Sequence, residues 1–157
     1  SKLAGTETGV TEPQATFSRF FGQPFMPLNP EYYSSMLGEK MQKFNTKVYL
    51  VNTGWYGGSF GVGKRIDLKL TRAMVNAALN GDLEKVEYQY DELFHLNIPK
   101  SCPGVPSKIL NPVNMWIEKE DYELTANRLA NKFSAAFDEA YGDKQIKESV
   151  RTQCPGK

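Results

Sequence analysis

Histidine and cysteine are almost missing from this chain, which holds one His and two Cys in 157 residues. Cys102 and Cys154 lie far apart, without paired spacing and without a histidine at ligand distance, which argues against a disulfide framework and against a zinc site. Two free thiols of a reducing compartment are the expectation. Long apolar runs are missing too. Nothing approaches the roughly 20 residues that a spanning helix needs, and Ser1-Lys-Leu-Ala-Gly5 lacks the apolar core of a signal peptide. The chain therefore reads as soluble and cytoplasmic, with no membrane partner. A formal charge of +1, with Lys and Arg spread along the sequence, leaves no basic face for nucleic acid. Neither an internal repeat nor a low-complexity tract is present. These absences leave a small molecule as the expected partner.

What is present suits one globular domain with a core: 40% hydrophobic, 24% charged and 12% aromatic residues. The opening run Leu3 to Pro13, without a Met or a disordered leader, reads as the interior of a longer protein, so a fragment is expected. Gln14 to Phe21 suggests a short strand before the turn residues Gly22 to Pro24. Asn29 suits a helix N-cap and Pro30 its first turn. Tyr33, Met36, Leu37, Met41 and Phe44 then recur at helical spacing, and Lys40 and Lys43 favour the C-terminal end of the dipole. Lys47 to Val51 predicts a buried strand, Ile66 to Leu70 alternates as an extended segment, and Thr71 to Gly81 is helical with Gly81 as its cap. Val86 to Tyr90 predicts another strand. Four prolines and Gly104 between Pro99 and Pro112 forbid regular structure, and Asp121 to Tyr141 predicts a long amphipathic helix ended by Gly142. The tail beyond Asp143 is polar.

The densest signal lies between Val48 and Arg65, where an apolar run enters five glycines and stops at two adjacent cations. Gly58-Ser-Phe-Gly-Val-Gly-Lys-Arg65 nearly spells the phosphate loop G-x-x-x-x-G-K-[ST], but Arg65 replaces the hydroxyl that would hold Mg²⁺. A phosphate loop needs a strand that enters the turn at once and a helix that begins at its lysine. Here Trp55 and Tyr56 intervene, and an alternating segment follows Lys64. Plain glycine turns are the bland alternative. Against them, Trp55, Tyr56 and Phe60 supply stacking faces beside Lys64 and Arg65, a chemistry suited to something flat and anionic such as a nucleotide.

A string of blocks sharpens this reading. Leu3-Ala-Gly-Thr-Glu-Thr-Gly-Val-Thr-Glu-Pro-Gln-Ala-Thr-Phe17, Phe21-Gly-Gln-Pro-Phe-Met-Pro-Leu28, Leu50-Val-Asn-Thr-Gly-Trp55, Gly63-Lys-Arg-Ile66 and Thr71-Arg-Ala73 come in order. Asn97-Ile-Pro99 and Pro103-Gly-Val-Pro-Ser-Lys-Ile-Leu-Asn-Pro112 follow them. Together the blocks resemble the C-terminal portion of the ATP-dependent phosphoenolpyruvate carboxykinases. The resemblance implies an α/β fold, a mixed sheet with flanking helices, in which residues 1–157 form the C-terminal part of the mononucleotide-binding domain of a larger two-domain enzyme. It implies conversion of oxaloacetate and ATP to phosphoenolpyruvate, ADP and CO₂ in gluconeogenesis, with ATP, Mg²⁺ and Mn²⁺ as cofactors. Compartments other than the cytoplasm, glycosomes or mitochondria, also occur in the family, and a homo-oligomer is compatible with it.

By the same resemblance, Arg65 and Ile66 contact the nucleotide, Thr71 lies against its adenine-ribose end, and Phe25 lines the adenine pocket. Lys64 adjoins the site. The family's own phosphate loop, metal-binding Asp and His, and substrate-binding Lys and Arg lie upstream of the part resembled. No catalytic residue and no metal ligand is therefore assigned within this chain, its partner in the reaction is the remainder of the same polypeptide, and the piece alone is expected to be inactive. A stand-alone, non-catalytic nucleotide-binding module and an independent phosphate-loop NTPase are the alternatives. His95 beside Asp91 and Glu92 reads as an exposed or helix-end histidine rather than a general base. Glu118, Glu120 and Asp121 read as a solvated helix start, and Tyr32, Tyr33, Phe133, Phe137 and Tyr141 as packing residues.

Overall fold

The computed structural model describes residues 8–11, 25–28, 30–58 and 60–157. The strand expected over Gln14 to Phe21, its turn and the Asn29 cap lie outside them. The chain divides into two compact units, Ser1–Tyr49 and Leu50–Lys157.

The first unit is built on helix α1, Pro30–Phe44, with Glu31 in its first turn and Lys43 in its last. Its end follows from backbone chemistry. Asn45 takes a left-handed φ of 49°, its N–H donates to Gln42 O at 3.4 Å, and Thr46 N–H donates to Met41 O at 3.0 Å. That paired closure is a Schellman motif in which Asn replaces the usual glycine, as a short polar side chain permits. Lys40 and Lys43 sit over the Phe44 ring at 5.9 and 5.5 Å.

The strand expected over Lys47 to Val51 does not form: residues 46–53 have no regular structure, and Val48, Leu50 and Val51 are exposed. An apolar run becomes a strand only where a neighbour completes its ladder, and among the described residues none pairs with it.

Among its described residues the second unit combines helices with two small antiparallel hairpins, compatible with the expected α/β class, and no mixed sheet forms among them. In the first, β1, Trp55–Tyr56, pairs β2, Lys64–Arg65, and in the second, β3, Tyr88–Asp91, pairs β4, Leu96–Pro99. Short loops join both pairs, and short connections allow only antiparallel neighbours. Helix α2, Leu68–Leu79, follows β2 with Asp67 as its N-cap, so the expected extended segment over Ile66 to Leu70 is mostly helix. The apolar alternation there is outweighed by a local device. Asp67 Oδ1 accepts the Lys69 N–H at 2.9 Å, filling one of the free donors of the first turn. Asn80 caps the other end, and Gly81 follows at φ 73° as the left-handed residue.

A 3-10 turn, Asp82–Lys85, leads to the second hairpin, where the Tyr88 hydroxyl donates to Leu83 O at 2.8 Å. The proline-rich stretch, expected to be without regular structure, holds short regular pieces: a β-bridge between Cys102 and Val105, the single helical turn α3, Ser107–Leu110, and a 3-10 turn, Pro112–Met115. The long helix α4, Lys119–Tyr141, ends at Gly142 as expected. The tail folds back on it through α5, Glu148–Arg151. Lys157 pairs with Asp138 at 2.8 Å, and the guanidinium of Arg151 lies 5.9 Å from the Phe137 ring centre. Among the described residues the buried apolar side chains are small or medium: Ile66, Ala77, Leu83, Cys102, Val105, Ala126 and Ala130. No helix among them is long and apolar enough to cross a membrane.

Candidate functional site

The glycine-rich segment is the connection of the first hairpin. Its register sets Trp55 opposite Arg65 and Tyr56 opposite Lys64. Ile66 N–H donates to Gly54 O at 2.8 Å just beyond that pair. Rungs alternate in an antiparallel ladder, so Trp55 and Arg65 form a non-hydrogen-bonded rung, where opposed side chains lie closest. The Arg65 guanidinium carbon stands 5.8 Å from the Trp55 ring centre, and Phe60 meets the indole edge-on at 5.8 Å and 89°. The sequence expectation of aromatic faces beside a cation is met, with the partners specified by pairing.

Two glycines make this shape. Gly57, at φ 71°, lies so close to the Pro112–Met115 turn that a Cβ would stand 2.7 Å from Met115 O. At Gly63 a Cβ would collide with Gly58 O, so the two sides of the loop cross with no room for a side chain.

This geometry rules out a phosphate cradle. Lys64 lies in β2 rather than at a helix start, and the N-terminus of α2 already holds the Asp67 carboxylate. The positive end of the dipole is thus occupied by the chain's own anion.

Of the four residues implicated in nucleotide contact, Arg65, Ile66 and Thr71 share one strand-to-helix junction. Arg65 is exposed and Thr71 half-buried, one turn into α2. Ile66 is a core side chain, 8% exposed, with its N–H already donated. Phe25 belongs to the first unit and is 89% exposed. A shallow depression of about 360 Å³ lies elsewhere, lined by Gln89, Ile98, Lys100, Ser107, Lys108 and Asn111 among others, and none of the four lines it.

The remaining candidates take structural roles. His95 sits at φ 54° in the turn of the second hairpin rather than at a helix end, with Nδ1 2.9 Å from the Tyr90 hydroxyl. Asp91 Oδ1 accepts the N–H groups of Leu93 and Phe94, so this carboxylate shapes the turn and does not orient the imidazole. Glu118 stands at the N-cap of α4, with Glu120 and Asp121 in the first turn, all exposed. Among the described residues no group of three or more His, Cys, Asp or Glu could hold a metal ion. Both cysteines are free. Burial pushes the thiols of Cys102 and Cys154 above the ordinary value, and burial followed by nearby Asp91 does the same to the Tyr122 phenol. Neither thiol is an activated nucleophile.

An aromatic and cationic rung on glycine hinges, followed by a self-capped helix, makes a hairpin of a class distinct from phosphate loops. The family model for phosphoenolpyruvate carboxykinase matches residues 1–108, more than half of the chain, and the chain belongs to that family. It is 59% identical over 99% of its length to a phosphoenolpyruvate carboxykinase (ATP) of Caldanaerobacter subterraneus subsp. tengcongensis. Enzymes of the same name from Fusobacterium nucleatum and Campylobacter jejuni are 57% and 53% identical over 90% and 96% of the chain. The chain spans only 29%, 27% and 28% of these relatives.

Proposed function

We propose that this chain is the C-terminal part of the nucleotide-binding domain of a two-domain, ATP-dependent phosphoenolpyruvate carboxykinase. The whole enzyme decarboxylates oxaloacetate and phosphorylates the resulting enolate with ATP, releasing phosphoenolpyruvate, ADP and CO₂. The observation that carries this reading is 59% identity across 99% of the chain to a relative bearing that name. No observation favours a stand-alone nucleotide-binding module.

In this reading the chain supplies the purine side of the nucleotide site. Arg65 brings a planar cation that can stack or pair with phosphate, Thr71 a hydroxyl for the ribose end, and Phe25 an apolar face for adenine. The exposure of Arg65 and Phe25 and the half-exposure of Thr71 support these roles. The described residues bring together no group of three or more His, Cys, Asp or Glu to hold the family's Mg²⁺ or Mn²⁺. Phosphoryl transfer rests on positioning and on charge stabilisation at the γ-phosphate, and these belong to the rest of the polypeptide.

The test is phosphoenolpyruvate formation by a polypeptide of the relatives' length that carries this chain. Arg65→Ala and Thr71→Val raise KM for ATP, Lys64→Ala leaves it unchanged, and residues 1–157 alone form no product. Turnover by the isolated residues, or unchanged KM in both of the first two variants, would sink the reading.

A further inference from the structure

We propose that Trp55 is a positioning residue for Arg65: the indole holds the guanidinium in the pose from which it meets the nucleotide, and Phe60 braces the indole. The inference rests on the reading that Arg65 contacts ATP, and it adds a residue to which no role was assigned beyond a stacking face.

Three observations carry it. The hairpin register places Trp55 directly across from Arg65, on the rung where side chains approach most closely. The guanidinium lies over the indole at 5.8 Å, and among the described residues no carboxylate forms an ion pair with it. Among the described residues the ring contact is therefore a specific restraint on a long, exposed side chain. Finally, Phe60 reaches back from the loop to meet the same indole edge-on, and the crossing at Gly58 and Gly63 turns the loop tightly enough for it to do so.

A side chain already held near its bound pose loses less conformational freedom when ligand arrives, and that difference appears as affinity. The effect is on nucleotide binding, because Trp55 acts through Arg65 and not on the reacting atoms. A guanidinium on an indole face at an exposed site corresponds to roughly a two- to fivefold change in affinity.

The experiment measures KM for ATP, kcat, and ATP affinity by calorimetry in the full-length enzyme carrying this chain. Trp55→Leu raises KM and the dissociation constant for ATP roughly two- to fivefold, with kcat within about twofold of the parent. Trp55→Phe, which keeps a ring face, retains most of the affinity. Arg65→Ala separates the two levels of the argument. If it weakens ATP binding while Trp55→Leu does not, the positioning role is overturned and Arg65 stands as the contact. If Arg65→Ala itself changes nothing, both fall. The double variant decides whether Trp55 acts through Arg65. Adding Trp55→Leu to Arg65→Ala causes no further loss of affinity if it does, whereas an equal loss in both backgrounds marks a merely structural tryptophan and overturns the proposal.

Discussion

Replacing Gly57 with Ala perturbs the site through one atom. The backbone at Gly57 is left-handed, φ 71°, and the new Cβ would lie 2.7 Å from Met115 O, a main-chain atom that cannot swing aside. The left-handed conformation alone costs an L-residue about 1–2 kcal/mol. Forcing the hairpin and the Pro112–Met115 turn apart adds an overpacking cost of roughly 1–3 kcal/mol. Gly61 is the internal control. Its φ is 87°, yet a Cβ there meets nothing within 4 Å, so Gly61→Ala should show only the conformational cost of about 1–2 kcal/mol. Urea unfolding followed by tryptophan emission reads both, since Trp116 follows Met115 and Trp55 stands just before the hinge. Gly57→Ala should be the more destabilising by roughly 1–3 kcal/mol. If Arg65 contacts ATP as proposed, Gly57→Ala should also raise KM for ATP in the full-length enzyme, because Arg65 rides on the displaced hairpin. Equal destabilisation by the two variants would refute the claim that contact with the Met115 carbonyl fixes the hairpin.

Two further outcomes follow from the same contacts. Asp67→Ala removes the cap of α2 and should cost about 1 kcal/mol in the urea titration, whereas Asp67→Asn, which keeps an acceptor, should cost much less; equal losses would show that the cap is not the stabilising element. The raised values of Cys102 and Tyr122 fix the sign of an alkaline effect. As pH climbs, the unfolded chain gives up these protons first, so their contribution is complete below the ordinary thiol and phenol ranges. It declines from about pH 8.5 upward, through the folded values. Tyr122→Phe should flatten the upper part of that decline in stability measured against pH, and a decline unchanged by the variant would count against the assignment.

Much of the fold was legible wherever a signal and its consequence lie a few residues apart. The periodicity of α1, the long run of α4 to Gly142 and the strand near Tyr88 follow from spacing read within one window. The segment Ile66 to Leu70 shows how two local signals compete. Its alternation suggested an extended chain, but Asp67 could accept from Lys69, and a satisfied first turn outweighs a pattern of period two. The apolar run at Lys47 to Val51 had the composition of a strand but no neighbour to pair with among the described residues, and pairing is not a property of the run itself.

The candidate site divides along the same line. Sequence alone identified the glycine-rich segment, its aromatic and cationic residues, the unsuitability of Arg65 for a phosphate loop, and the family resemblance, because residue types in order suffice for each. Only the tertiary structure decided that Trp55 faces Arg65, that Ile66 belongs to the core, and that Gly57 must lack a side chain because the Met115 carbonyl stands against it. Register, burial and close approach depend on atoms brought together from distant parts of the chain, and no local pattern of residues specifies which atoms those will be.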